Sequence, residues 1–236
     1  MIYVPAIDLD RVWKFYGDYP ALRDFTLRVN EGTCCALLGR NGAGKTTLLR
    51  ILAGLSPFQS GTVQVFGHSP RAEQARVQFG FLGHGIGVYE DLTARENLLF
   101  FSRIARTRDS WVDVWLERVG LGKVADVPVR QFSRGMRQRL ALARTFLHAP
   151  RLLLLDEPFT SLDDSAITML SELLVEARRG GATVLLSTHQ LREALAIASH
   201  VALLENGKLR YEGARTQAML DDPGLLYRLH PEAGVA

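Results

Sequence analysis

The segment from Gly39 to Thr46 limits what this chain can fold into more than any other feature. It reads Gly-Arg-Asn-Gly-Ala-Gly-Lys-Thr and fits the pattern G-x-x-x-x-G-K-[ST]. An apolar run at 34–38 precedes it, and a helical sequence at 47–52 follows. Glycines permit the tight turn and the inward backbone N–H groups that surround a phosphate, and the helix start adds a positive dipole end. The segment therefore predicts a strand, a loop and a helix that bind a nucleoside triphosphate, the alternative being a glycine-rich turn that binds nothing.

Two side chains of this loop have specific roles in that prediction. Lys45 would reach the β- and γ-phosphates, and the Thr46 hydroxyl would ligate Mg²⁺. We expect nucleotide contacts from the whole segment, which consists of Gly39, Arg40, Asn41, Gly42, Ala43, Gly44, Lys45, Thr46 and Thr47.

Composition is typical of a globular protein. The 236 residues suffice for one domain, or for one domain with an inserted lobe. The formal net charge of +3 is small and the charges are not clustered, so we expect no nucleic-acid partner. No apolar stretch approaches the ~20 residues that a membrane span needs. Residues 1–10 have neither the basic nor the apolar region of a signal peptide.

Two adjacent cysteines, Cys34 and Cys35, lie in a predicted buried strand. Neighbouring strand residues point to opposite faces, so a disulfide between them is not expected. Both are interpreted as small core residues in a reducing compartment. The sequence therefore predicts a cytoplasmic location.

Hydrophobic periodicity predicts strands at both ends of the chain and helices between them. Residues 15–20 are predicted to form a loop with exposed aromatic side chains. Helices are predicted to begin near Thr93 and Ser133, and Trp111 and Trp115 of an intervening helix are expected to pack in the core. The predicted strands are 2–9, 22–29, 33–38, 61–67, 79–84, 152–155 and 183–187, followed by a hairpin over 201–212.

Two acids and a histidine follow strands with continuous apolar runs, which are typical of parallel strands covered on both faces. Asp156 and Glu157 come directly after one run, and His189 follows the next. Because the carboxyl ends of parallel strands meet at one edge, these residues are expected beside the phosphate loop. Asp156 would hold Mg²⁺, Glu157 would polarise the attacking water and His189 would sense the γ-phosphate.

Ser133 marks a second possible anion site. It is a natural N-cap, and the exposed start of a helix attracts phosphate. Since the loop itself needs no further phosphate site, we interpret Ser133 as serving a phosphate bound by another subunit. A plain capped helix is the alternative.

In this order, the motifs resemble the ATP-binding subunits of ABC transporters over essentially the whole chain. The resemblance identifies the glycine-rich segment as the Walker A loop and the strand before Asp156 as the Walker B strand, with Glu157 as the catalytic glutamate. It also implies that Asp163 lies in the D-loop and that His189 is the switch histidine. Tyr16 matches the aromatic residue that stacks on adenine, although a core or surface tyrosine is the alternative.

The same resemblance implies the fold class. It is an α/β fold of the P-loop NTPase (RecA-like) type, with a mostly parallel sheet core, an N-terminal antiparallel β-subdomain and an inserted α-helical subdomain. We expect a single ABC-type nucleotide-binding domain over 1–236. Its ATP-binding core and β-subdomain would comprise 1–83 and 150–215, its Q-loop and helical subdomain 84–149, and its C-terminal tail 216–236.

The signature motif of this family closes on the ATP in the partner's Walker A loop, so that two Mg-ATP lie in one head-to-tail dimer. The usual reading is Leu-Ser-Gly-Gly-Gln. This chain retains Ser133 and Gly135 and differs at Phe132, Arg134 and Met136. Arg134 would bind phosphate or form a salt bridge across the dimer.

The Q-loop is a second departure. Gly83 and His84 stand where the family has a glutamine near Mg²⁺ and the membrane partner. An imidazole at His84 would bond a water molecule or contact the metal, and its action would depend on pH near neutrality.

The resemblance implies an ATPase, a homodimer or paired subunit, that drives export through separate membrane subunits at the inner face of the cell membrane. These subunits would dock near 84–97. The His84 loop and the Phe-Ser-Arg-Gly-Met signature resemble the haem-exporter ATPases of bacterial cytochrome c maturation. A multidrug, lipid or polysaccharide exporter is the alternative. A soluble ABC-type ATPase acting on ribosomes, DNA repair or cluster assembly, and a P-loop kinase, are less favoured.

Overall fold

The structure, a computed structural model, describes residues 4–83 and 87–230. Within these ranges the chain forms nine strands and nine α-helices. The strands are β1 (Ile7–Tyr16), β2 (Tyr19–Val29), β3 (Cys34–Leu38), β4 (Ser60–Val65), β5 (Phe79–Leu82), β6 (Leu152–Asp156), β7 (Thr183–Ser187), β8 (His200–Glu205) and β9 (Lys208–Ala214). The helices are α1 (Lys45–Leu52), α2 (Glu73–Arg76), α3 (Ala94–Ile104), α4 (Ser110–Arg118), α5 (Arg134–Phe146), α6 (Asp164–Arg179), α7 (Leu191–Ile197), α8 (Gln217–Asp221) and α9 (Leu225–Leu229).

A six-stranded sheet carries the phosphate loop. Its strand order is β5-β6-β7-β3-β8-β9, in which the first five strands are parallel and β9 is antiparallel. β3, β6 and β7 are buried along their whole length, as their continuous apolar runs predict. Cys34 belongs to the core on one side of the sheet and Cys35 to the core on the other, and both are free thiols.

The second sheet is antiparallel, with the order β2-β1-β4. Tyr16 pairs with Tyr19, so that only Gly17 and Asp18 join β1 to β2. The predicted loop at 15–20 is therefore wrong, because this stretch is a tight hairpin. The two sheets and the helices together confirm the predicted α/β fold class.

The sequence pattern predicts the first strand at 2–9, whereas β1 runs from Ile7 to Tyr16. The register of β1 shifts between Leu9 and Val12, where Arg11 has a φ of 48°. Such a bulge changes which residues face the core. Val12 and Lys14 consequently continue the buried row that Ile7 and Leu9 begin. The bulge therefore places a lysine in a row of apolar residues.

The helical part of the chain lies between β5 and β6. The hydroxyl of Thr93 accepts from the backbone N–H of Glu96 at 3.1 Å, and the Glu96 carboxylate accepts from that of Thr93 at 2.8 Å, which confirms the predicted capping box. Trp115 is buried as predicted, but Trp111 is 45% exposed. The prediction for Trp111 is wrong because this side chain lines an open cavity of about 500 Å³ beside Trp115 rather than packing in the core.

The C-terminal helices pack onto the main body of the protein. α8 begins after Thr216, whose hydroxyl accepts from the backbone N–H of Met219 at 3.4 Å. Leu226 of α9 is buried, and Tyr227 packs against the same core. None of the helices in the described ranges has both the length and the apolar character needed to cross a membrane.

Candidate nucleotide site

The phosphate loop connects β3 to α1, and its shape depends on two glycines. Gly39 and Gly44 have φ of 153° and 111°. A Cβ on Gly39 would lie 2.4 Å from the carbonyl oxygen of Leu204, and one on Gly44 would lie 2.6 Å from that of Ala21. Because both contacts are to backbone, the loop requires glycine at these positions.

Lys45 is the first residue of α1 and is only 6% exposed. Its Nζ donates to the carbonyl oxygens of Gly39 at 2.7 Å and Arg40 at 3.2 Å. Burial lowers the pKa of this amine, and the carboxylates of Glu157 and Asp156 act in the opposite direction. The cation is therefore held inside the loop by neutral acceptors, for which phosphate oxygens would be stronger replacements.

Asp156 ends β6 and is buried. Its Oδ1 accepts a hydrogen bond of 2.5 Å from the hydroxyl of Ser187, which ends the adjacent β7. Its Oδ2 is also buried but has no hydrogen-bond partner among the described residues. An unsatisfied buried carboxylate oxygen is unfavourable, so this atom is suited to a cation.

Glu157 and His189 are in contact. Nδ1 of His189 lies 2.9 Å from Oε2 of Glu157, and the His189 backbone N–H donates to the same oxygen at 3.3 Å. Glu157 has a φ of 52°, and its own N–H donates to the carbonyl oxygen of Ser187 at 3.0 Å. The turn after β6 thus brings the glutamate to the histidine that follows β7.

A cleft of about 290 Å³ lies along the loop. It contains the predicted adenine contact, most of the predicted loop residues and the predicted catalytic glutamate. Gly39 and His189 are not part of its walls, but they contact the wall residues Lys45 and Glu157. The walls are formed by Tyr16, Tyr19, Ala21, Arg40, Asn41, Gly42, Ala43, Gly44, Lys45, Thr46, Thr47 and Glu157.

Tyr16 stands at the end of β1 and is 50% exposed. Burial raises the pKa of its hydroxyl, but hydrogen bonds to Ser56 and Thr47 and the charges of Lys14 and Arg50 outweigh this effect, so that the pKa is lowered. The hydroxyl thus lies close to Ser56 and Thr47, while the residue lines the cleft.

The signature residues Ser133 and Gly135 do not line this cleft. The Ser133 hydroxyl accepts from the backbone N–H of Met136 at 3.2 Å and caps α5, as predicted. Gly135 lies against the backbone of Ser161, whose oxygen is 3.2 Å from the position that a Cβ would occupy. Within one chain, the signature residues are thus separate from the loop.

Three further predicted residues are placed as follows. Arg134 lines a small cavity of about 20 Å³ with Asp156 and Glu157, and it makes no hydrogen bond or ion pair with any described residue. Asp163 caps α6, since its Oδ1 accepts from the backbone N–H of Ala166 at 2.8 Å. His84, the predicted metal contact, lies outside the described residues.

Sequence reasoning missed Ser187 and Tyr227. Ser187 ends an apolar strand and carries no motif of its own. Burial raises the pKa of Tyr227, while a hydrogen bond from the Gly39 backbone and the charge of Arg40 act in the opposite direction. The tail helix α9 therefore reaches the phosphate loop, and no sequence pattern connects the two.

A glycine loop between a parallel strand and a helix, with an acid pair on the same sheet, defines a P-loop nucleotide-binding protein. Residues 22–160 match the family model described as ABC transporter. The chain therefore belongs to the ABC transporter family, and it is an ABC-type ATPase.

Curated relatives are ATP-binding proteins whose names refer to Nod factor export and daunorubicin resistance. The Nod factor export ATP-binding protein I of Sinorhizobium fredii is 38% identical over 92% of this chain, which spans 65% of that relative. The daunorubicin resistance ATP-binding protein DrrA3 of Streptomyces coeruleorubidus is 38% identical over 93% of this chain, which spans 71% of it. These names do not support the predicted resemblance to haem exporters.

Two solved structures share the fold. An ATP-binding subunit of an ABC transporter matches with a TM-score of 0.83 and 29% identity, over 98% of this chain and 95% of that one. A dimeric ATP-binding cassette in a post-hydrolysis state, bound to ADP and phosphate, matches with a TM-score of 0.78 and 25% identity, over 89% of this chain and 99% of that one.

Proposed function

We propose that this chain binds Mg-ATP in the cleft and hydrolyses it to drive export through separate membrane subunits. The observation that carries the proposal is the position of Glu157. It lines the cleft that contains Lys45, and His189 contacts its carboxylate at 2.9 Å. In this proposal Glu157 is the general base and His189 positions its carboxylate beside the phosphate loop. The ADP and phosphate bound by a structural neighbour support this reading.

The residues present fit a magnesium ion. Asp156 offers a buried carboxylate oxygen that lacks a partner among the described residues, and Thr46 lies in the cleft wall. Oxygen atoms of this kind are the ligands that Mg²⁺ prefers. We assign Asp156 and Thr46 as the residues that would hold the ion, with His84 as a further predicted contact. When bound, the ion neutralises charge on the phosphates.

The other cleft residues act in hydrolysis and in binding of the nucleotide. Glu157 accepts a proton from the attacking water, and His189 keeps its carboxylate in place. Lys45 exchanges its two carbonyl acceptors for phosphate oxygens, which stabilises the charge on them. Tyr16 stacks on adenine at the exposed end of the cleft.

One chain supplies half of each site in this proposal. Ser133 and Gly135 lie outside their own cleft, and the first turn of α5 contains no acidic residue. A helix start of this kind favours an anion. We therefore assign Ser133, Gly135 and Asp163 to the nucleotide of a partner subunit, either a second copy or a paired ATPase. The structural neighbour in the post-hydrolysis state is a dimer.

Mixing two inactive variants tests the shared site. Lys45→Ala removes the cation of the loop, and Ser133→Glu places a negative charge at the start of α5. Each variant alone should be inactive. When they are mixed, turnover should recover to about one quarter of the wild-type rate, because half of the dimers are mixed and each has one intact site. The measurement is phosphate release at equal total protein.

If both lesions acted within one chain, no intact site would form and mixing would restore nothing. That result would reject the shared site but leave the assignment of Glu157 and Lys45 to one cleft in place. Mixing each variant with itself at the same concentration is the control.

An apolar groove of about 570 Å³ offers a surface for the membrane subunit. It is bounded by α2, β5 and the C-terminal ends of α3 and α5, and it includes Val77 and Ile104, which are 64% and 63% exposed. Arg144 on its wall donates to the carbonyl oxygens of Phe81 at 3.1 Å and Gly87 at 2.5 Å, which connects the groove to the predicted docking segment. We assign the groove to an amphipathic cytoplasmic helix of the membrane subunit.

A charge in this groove should weaken binding between this chain and the membrane subunit. Ile104→Glu is expected to lower the recovery of membrane subunits with the tagged ATPase by about tenfold, because it buries an unpaired carboxylate in the contact. ATP turnover of the isolated chain should be unchanged. Val114→Glu on α4, at a residue that is 43% exposed and outside the groove, is the matched control. Equal recovery with both variants would place the contact elsewhere.

The names of the relatives guide the choice of substrate. They concern Nod factor export and daunorubicin resistance, so we favour a multidrug, lipid or polysaccharide exporter over a haem exporter. We also propose that the chain lies at the inner face of the membrane. We assign residues 1–83 and 150–215 to a core, residues 84–149 to a helical subdomain and residues 216–236 to a tail.

A further inference from the structure

Lys14 carries a positive charge that pairs with no anion among the described residues. The residue as a whole is 5% exposed, and its side chain makes no hydrogen bond or ion pair with any described residue. Its Nζ instead lies 4.5 Å from the centroid of the Tyr16 ring. The stem of Lys14 continues the buried row of β1, but packing of the stem alone does not call for an ammonium over an aromatic ring.

The Tyr16 ring lies between this cation and the nucleotide cleft. Tyr16 lines the cleft and is half exposed, whereas Lys14 does not line it. The ammonium therefore covers the inner face of the ring. The outer face is left available to a planar group.

We infer that Lys14 is a positioning residue for nucleobase recognition, which fixes the Tyr16 ring so that its outer face receives the base. The inference rests on the proposed function, in which Tyr16 stacks on adenine. A cation attracted to one face of an aromatic ring restrains the ring, and a base stacks on the opposite face. Lys14 does not touch the nucleotide itself.

A comparison of ADP with pyrophosphate tests this role, because only ADP has a base. Binding of each is measured by isothermal titration calorimetry in the presence of Mg²⁺, which avoids hydrolysis. Lys14→Met keeps the length of the side chain and removes its charge. It is expected to weaken ADP binding by about fivefold and to leave pyrophosphate binding unchanged. Lys14→Arg, which keeps the positive charge, should bind ADP as the wild type does.

Lys14→Met keeps the apolar stem that packs in the β1 row, so folding is expected to be unimpaired. Thermal unfolding of Lys14→Met checks this point. Equal weakening of ADP and pyrophosphate would show that Lys14 acts on the phosphate loop, and unchanged binding of both would show that it does not act on recognition. Either result overturns the inference.

Tyr16→Ala separates this inference from the proposed function. It should weaken ADP binding more than Lys14→Met does, and the double variant should bind ADP no more weakly than Tyr16→Ala alone. If Tyr16→Ala has no effect, the adenine assignment fails and the role of Lys14 fails with it. If Tyr16→Ala weakens binding but Lys14→Met does not, only the role of Lys14 is wrong.

Discussion

Replacing Glu157 by glutamine is expected to lower ATP turnover by about 10²- to 10⁴-fold. The amide retains the shape of the side chain and its contact distance to His189, but it cannot accept the proton of the attacking water. Binding of ATP should persist, since Lys45 and Asp156 are unchanged. The variant should therefore accumulate as an ATP-bound dimer. Phosphate release gives the rate, and size-exclusion chromatography with and without Mg-ATP gives the dimer.

Glu176→Gln is the matched control for this substitution. It is the same chemical change, on a residue of α6 that forms an ion pair with Arg118 and does not line the cleft. Its turnover should equal that of the wild type. Wild-type turnover in Glu157→Gln would show that another group is the base, and the assignment of the acid pair would have to be abandoned.

Replacing Lys45 by alanine is expected to weaken ATP binding by about 100-fold. The wild-type ammonium donates to two loop carbonyls, at 2.7 and 3.2 Å, and on binding these bonds would be exchanged for charge-assisted bonds to phosphate. Hydrogen bonds to charged groups contribute about 1.5–3 kcal/mol each, which accounts for the expected factor. Equilibrium dialysis with radiolabelled ATP measures the affinity directly.

Lys123→Ala is the control for the loss of a cation, because Lys123 is exposed and lies in a turn away from the cleft. It should bind ATP as the wild type does. Unfolding by urea distinguishes a loss of binding from a loss of structure in Lys45→Ala. A stable Lys45→Ala variant with wild-type affinity would mean that the loop is not the phosphate site.

The central sheet could be predicted because its strands have a simple pattern. β6 and β7 are continuous apolar runs, and polar residues with potential chemistry follow each of them. Parallel strands bring such residues to one edge, and the contact between Glu157 and His189 is an instance of this rule. The loop was also evident from its glycine pattern, and at Gly39 and Gly44 the structure supplies the reason, because a Cβ there would collide with backbone.

The first hairpin could not be predicted in the same way. The bulge near Arg11 interrupts the alternation of β1, and Lys14 occupies a buried position that a count of apolar residues assigns to solvent. The strand therefore looked shorter than it is, and Tyr16 was assigned to a loop. The lysine that obscured the pattern is also the residue that we connect with base recognition.

Contacts between distant segments were beyond sequence reasoning. Ser187 was visible only as the last residue of a strand, and Tyr227 only as part of an uncertain tail. The hydrogen bond of Ser187 to Asp156 and the closeness of Tyr227 to Gly39 depend on tertiary packing. Periodicity specifies which face of an element is apolar, but it does not specify which polar groups will meet.

The close approach of the two loop glycines to backbone oxygens has a mechanical consequence. Gly39 rests against Leu204 of the mixed sheet, and Gly44 rests against Ala21 of the antiparallel sheet. In the proposed site, Tyr16 of the antiparallel sheet would contact the purine, and the loop after β3 of the mixed sheet would contact the phosphates. A bound nucleotide would then link the two sheets, and loss of its terminal phosphate would weaken this link at the end that we assign to the second subunit.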